Sequence, residues 1–274
     1  MDDRPIGIFD SGVGGLTVVA RVRKTLPSER IVYFGDTARV PYGTKSPGVV
    51  RRYAQQDAAF LAGFNPKLVV IACHTVSALA ADLLRKKFTS VQFLDVIGPS
   101  VARAVAATRS GRIGVIGTAA TISSGQYQKA LKKADPAVRV ATAVCSLFVP
   151  LAEEGWVSGR FVEEVADRYL RPMRAARIDT LILGCTHYPL LKRAIRRAAG
   201  GQVVLVDAAE EIAREARRFV QAGRMASSRP AAPPVLYFSD CAGTRGAVIR
   251  RFLRGGGCRL RRVSPAFLEE ACDV

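Results

Sequence analysis

Residues 68–76 read Leu68-Val69-Val70-Ile71-Ala72-Cys73-His74-Thr75-Val76, and their reading decides the fold. Leu68 to Ile71 is a continuous β-favouring run with no polar alternation, which describes a strand buried on both faces. Helical apolar spacing follows at once, from Val76 to Lys87. Toward the N-terminus the same rhythm recurs. A strand at Ile6–Phe9 meets a glycine turn, a helix at Leu16–Thr25, a strand at Ile31–Phe34, a loop through Pro41, Tyr42 and Gly43, and a helix over 49–64. This β-α-β alternation predicts a parallel sheet wrapped by helices, with ligands bound where loops leave the carboxyl ends of the strands.

Toward the C-terminus a second cycle begins at the strand Ile113–Ile116. Helix 124–133, strand 138–143, helix 159–175 and the buried strand Thr180–Leu183 follow, then strand 203–206 closed by Asp207. A helix through Arg218 leads to a Ser-, Ala- and Pro-rich connection over 225–234. The last strand (235–239) and helix (246–253) are expected to complete the chain. The two cycles resemble each other. Asp10 and Cys73 are separated by 63 positions, and Thr118 and Cys185 by 67, each pair marking two strand ends. The expected fold is therefore α/β, with two similar lobes related by a pseudo-two-fold axis and the active site in the cleft between them. Residues 1–97 with a returning segment 209–274 are expected to form one lobe, and 98–208 the other.

The chain has 274 residues, 49% hydrophobic and 23% charged, a balance that excludes a disordered or fibrous protein. Its apolar runs fall far short of the roughly 18 residues of a membrane span. The start, Met-Asp-Asp-Arg-Pro, lacks the features of a signal peptide, so a cytoplasmic location is expected. Six cysteines include no Cys-x-x-Cys pair, and there are two histidines, which argues against structural zinc and a disulfide framework. Cys145, Cys241, Cys258 and Cys272 read as packing or tail residues. The net charge of +18 invites a nucleic-acid hypothesis. The basic residues are dispersed on amphipathic helices, however, with no recognition fold or aromatic platform.

Asp10-Ser11-Gly12-Val13-Gly14-Gly15 fails as a dinucleotide fingerprint because position 17 is Thr, and no Walker A sequence occurs. The surviving reading is a tight turn into a helix N-terminus, whose N–H groups can hold a carboxylate. Cysteine at the end of a buried strand is ordinarily packing. Here both histidines of the chain, His74 and His187, adjoin or nearly adjoin Cys73 and Cys185, each before an expected helix start. A free thiol is only about 3% thiolate at pH 7, and a cationic neighbour or helix N-terminus raises that share. Two opposed thiols suit stereoinversion: one removes a proton and the other delivers one to the opposite face. Oriented donors must then stabilise the developing enediolate. Ser11, Tyr42, Thr75, Thr118, Thr121 and Thr186 lie at the expected strand ends and loops.

Phe9-Asp10-Ser11-Gly12-Val13-Gly14-Gly15-Leu16, Val40-Pro41-Tyr42-Gly43, Ala72-Cys73-x-Thr75 and Leu183-Gly184-Cys185-Thr186-His187-Tyr188-Pro189-Leu190 resemble the glutamate racemases. The similarity runs through most of the chain and weakens after about residue 225. It implies a cofactor-independent interconversion of L- and D-glutamate that supplies D-glutamate for peptidoglycan, by a homodimer with no membrane or metal requirement. By position, Cys73 would take the α-proton of D-glutamate and Cys185 that of L-glutamate. Asp10 would assist Cys73; His187 and Glu153 would assist Cys185. Asp10, Ser11, Tyr42, Gly43, His74, Thr75, Thr186 and His187 would line the pocket, with Thr118 and Thr121 near it. Three positions depart from the family pattern: His74 replaces Asn, Gly98 stands where Glu is frequent, and Asp207-Ala208 replaces Asp-Ser. The rival readings are a related enzyme acting on aspartate, a hydantoin or a malonate-type acid, and a basic protein that keeps the fold while contacting DNA or gyrase.

Overall fold

The computed structural model describes residues 2–228, 232–240, 245–253, 255 and 257–270. The first cycle comprises β1 (Ile6–Asp10), α1 (Leu16–Thr25), β2 (Ile31–Gly35), α2 (Pro47–Ala62), β3 (Leu68–Ile71), α3 (His74–Lys87), β4 (Phe93–Asp95) and α4 (Ile97–Ala107). The second begins with β5 (Arg112–Gly117), α5 (Ala119–Ser123), α6 (Gln126–Ala134), β6 (Arg139–Val144) and α7 (Phe148–Glu154). It continues through α8 (Arg160–Ala175), β7 (Thr180–Gly184), α9 (Lys192–Ala199), β8 (Val204–Asp207) and α10 (Ala208–Ala222). After the connection come β9 (Val235–Phe238), α11 (Arg245–Leu253), β10 (Arg259–Arg262) and α12 (Pro265–Glu270).

The strands form a six-stranded sheet of order β10-β9-β2-β1-β3-β4 and a four-stranded sheet of order β6-β5-β7-β8. Every strand pair described is parallel. Leu68 to Ile71 is fully buried, as a central parallel strand requires. Each such side chain contributes about 1.5–3 kcal/mol on leaving water. α3 begins directly after this strand, with Cys73 in an extended conformation as its N-cap, and closes on Arg85, Lys86 and Lys87. Cations there complement the negative end of the helix dipole.

Chain order reverses at β1, which sits between β2 and β3, and at β5, which sits between β6 and β7. Such switch points open crevices at the carboxyl ends of strands. The register carries the consequence. Phe9 lies opposite Ile71, so the chain leaving β1 runs beside the one that carries Cys73. Gly117 lies opposite Gly184, so Thr118 and Cys185 leave β5 and β7 together.

Described elements that were not expected include β4, α4, α5, α7, β10 and α12. The chain therefore does not finish at α11. β10 reads Arg-Leu-Arg-Arg and is exposed throughout, so no apolar run announces it; pairing with β9 at the sheet edge forms it. α7 carries Pro150 in its first turn, a position where the missing N–H is not needed. Cys145 is buried and Cys258 partly so; Cys241 and Cys272 lie outside the described residues.

Candidate active site

Cys73 and Cys185, delivered by different sheets, line one cavity of about 350 Å3. Ser11, Gly43, His74, Thr75, Thr118, Glu153, Thr186 and His187 line it as well. A larger, more open cleft beside Arg21, Lys24 and Asp207 contains neither thiol. The two lobes meet tightly around the cavity. A Cβ on Gly14 would stand 2.3 Å from Thr186 Oγ1 and 2.5 Å from His187 Nδ1, so only glycine admits this approach. Thr17 Oγ1, on α1, donates across the boundary to Thr186 O at 3.1 Å.

The environments of the two sulfurs differ. Cys73 Sγ lies 3.6 Å from Ser11 Oγ. Burial, and then the negative charge of Asp10, push this thiol up to about 12 despite hydrogen bonds from Val76 and Ser11. Cys185 Sγ lies 3.7 Å from His187 Nδ1, while His187 Nε2 lies 2.9 Å from Glu153 Oε1. Burial alone would lower His187, but its hydrogen bonds to Cys185 and Glu153, with the charges of those partners, carry it up to about 10. One side of the cavity thus presents a protonated thiol and the other a sulfur beside an imidazolium.

Other residues sit differently from the expectation. Asp10 and Thr121 are buried behind the wall rather than on it. Asp10 Oδ2 accepts from Gly12 N at 3.2 Å and Gly15 N at 3.1 Å, so the carboxylate held by these turn amides is the protein's own. Burial raises the Asp10 carboxyl, partly offset by His187 and these hydrogen bonds. Thr121 Oγ1 lies 3.2 Å from Thr75 Oγ1 and 2.9 Å from Thr118 Oγ1, closing a triangle of hydroxyls that joins the lobes. Tyr42 borders the cavity, yet its hydroxyl points inward and donates to Asp36 and Asp57.

His74 is not a cation beside Cys73. Its Nδ1 lies 2.7 Å from Tyr127 Oη, and burial lowers the imidazole to about 3, so it is neutral at physiological pH. Gly98 lies on α4 with open space around a would-be Cβ. Asp207 caps α10 through Ala209 N and pairs with Lys192 at 2.6 Å.

Sequence reading missed the support beneath the Pro41-Tyr42-Gly43 wall. Arg39 Nε meets Asp36 Oδ2 at 2.6 Å, and its Nη2 meets Asp57 Oδ1 at 3.2 Å. Arg39 also donates to Gln56 and lies over the Tyr53 ring. Asp36 and Arg39, three residues apart, were the available signal; Asp57 on α2 joins them only in the fold.

Comparison with known proteins agrees with this geometry. The Asp/Glu/Hydantoin racemase family model matches residues 16–216. Glutamate racemase of Geobacter metallireducens is 53% identical over 222 residues, covering 81% of this chain and 82% of the relative. That of Chlorobaculum parvum is 47% identical over 237 residues, covering 86% and 87%. The structure of Francisella tularensis glutamate racemase in complex with D-glutamate superposes with a TM-score of 0.92 at 37% identity, covering 98% of this chain and all of that one. The chain belongs to the Asp/Glu/Hydantoin racemase family and, within it, to the glutamate racemases.

Proposed function

We propose that this protein interconverts L- and D-glutamate by two-thiol proton transfer, supplying D-glutamate for peptidoglycan. The observation that carries the reading is the pair Cys73 and Cys185 on one cavity wall system, one from each sheet. Identity to glutamate racemases favours glutamate over aspartate and other small acids.

In the L-to-D direction, the Cys185 sulfur takes the α-proton and the electron pair moves into the carboxylate as an enediolate. The Cys73 thiol then delivers its proton to the opposite face of Cα. This leaves Cys185 as thiol and Cys73 as thiolate, the starting state for D-glutamate. His187, held by Glu153, supports negative charge on Cys185; the Ser11 hydroxyl supports it on Cys73. Backbone and hydroxyl donors around Ser11, Thr75, Thr118 and Thr186 bind the carboxylates and stabilise the enediolate. Asp10 acts from behind the wall by fixing the Gly12–Gly15 turn, and Thr121 by orienting Thr75 and Thr118.

The same reading takes the protein as a cytoplasmic homodimer divided into 1–97 with 209–274 and 98–208. The division is supported by β1–β4, β9 and β10 sharing one sheet and β5–β8 the other. Among the described residues no helix is long and apolar enough to cross a membrane. Incubation with L-glutamate in D2O, without added pyridoxal phosphate, tests the chemistry. Deuterium should appear at Cα as optical activity falls, and Cys73→Ser and Cys185→Ser should each slow this at least about a hundredfold. Near-full rates in both variants would refute the thiol assignment.

A further inference from the structure

We propose that Arg251, on α11 of the first lobe, is a positioning residue for the Cys185 side of the site: its guanidinium clamps the end of α7 and so holds Glu153 against His187. The proposal rests on reading Cys185, His187 and Glu153 as one acid–base unit.

The last carbonyls of any helix lack intrahelical partners. On α7 the carbonyl of Glu153 is one of them, while Ala152 O already accepts from Gly155 N at 3.2 Å. Arg251 Nη1 donates to Glu153 O at 2.6 Å and reaches Ala152 O at 3.4 Å. A cation at this end also complements the helix dipole. Gly155 terminates α7 with φ +83°, and a Cβ there would stand 2.3 Å from Arg251 Nη2. The missing side chain is what lets the guanidinium in.

The need for such a clamp follows from Glu153 itself. Its side chain is 42% exposed, on the last turn of a seven-residue helix, so where that turn stands sets where its carboxylate reaches. Holding its backbone places Oε1 at 2.9 Å from His187 Nε2. The neighbouring Phe252 packs edge-on against the His187 ring, with centroids 5.1 Å apart. α11 packs on α1, so both contacts reach from the first lobe into the second. The Cys185 side is therefore completed only when the lobes are in register.

The test is a double-mutant cycle on racemisation, with thermal unfolding as the folding control. Arg251→Met should lower kcat about tenfold with KM changed less than about twofold, because misplacement of an acid–base unit acts on the chemical step. Arg251→Lys should recover part of the rate. In a Glu153→Gln background, Arg251→Met should cost nothing further, since both act through one contact. Should Arg251→Met fail to fold, Arg251→Lys carries the cycle, its smaller loss again vanishing with Glu153→Gln. A slow Glu153→Gln with an unaffected Arg251→Met, or losses that simply multiply, would overturn the clamp alone. A wild-type rate in Glu153→Gln would overturn the relay, and the clamp with it.

Discussion

Replacing Arg39 by Met strips from two fully buried carboxylates the only cation that pairs with them among the described residues. Asp36 accepts from Arg39 Nε, Ser239 Oγ at 2.8 Å and the Tyr42 hydroxyl; Asp57 accepts from Arg39 Nη2 and the same hydroxyl. Breaking a buried ion pair on one side costs about 3–5 kcal/mol, a large share of the roughly 5–15 kcal/mol that holds a domain together. Arg39→Lys keeps the charge but loses the fork, for roughly 1–2 kcal/mol. The pH dependence has a definite sign. Burial, then Asp36, raise the Asp57 carboxyl well above its usual range, with Arg39 opposing them. An acid raised on folding is tolerated when protonated, and its burden grows as pH rises above the unfolded value near 4. The Arg39→Met penalty should therefore be smaller at pH 4.5 than at pH 7.5 in urea unfolding followed by circular dichroism. KM for glutamate should rise as the Tyr42–Gly43 wall loosens. A loss below about 1 kcal/mol at pH 7.5, or one equal at both pH values, would refute the account.

His74→Asn should keep or raise glutamate racemisation while costing about 1 kcal/mol through the lost Tyr127 contact; a collapse in rate would make the histidine essential. His187 is raised from its ordinary value to about 10, so its stabilising contribution is complete below pH 6.5 and is lost as pH rises toward 10. The stability gap between the protein and His187→Asn, read by urea unfolding, should accordingly shrink across that interval. Gly14→Ala should push Thr186 and His187 away, costing about 1–3 kcal/mol and most of the racemisation rate; an unchanged melting temperature and kcat would show that the lobes do not need this approach.

The alternation of apolar strands and amphipathic helices determined the α/β class and both parallel sheets, because strand burial and helix periodicity are written in consecutive residues. The recurrence of a cysteine at two strand ends, each near a histidine, brought the two thiols into view for the same reason. Elements held by pairing rather than by their own composition, such as β10, left no such trace.

Direction and charge state were decided only in three dimensions. Nothing local separates His74 from His187. One is neutral against Tyr127 and the other is a cation between Cys185 and Glu153, because burial and partners, not neighbours in the chain, govern protonation. Asp10 and Tyr42 stand in the expected motifs yet turn their polar atoms into the protein, toward the Gly12–Gly15 amides and toward Asp36 and Asp57. Arg251 lies 98 residues from Glu153 and meets its backbone carbonyl. A contact between a side chain and a carbonyl depends on where the chain returns, so residue identity at the receiving end carries no record of it.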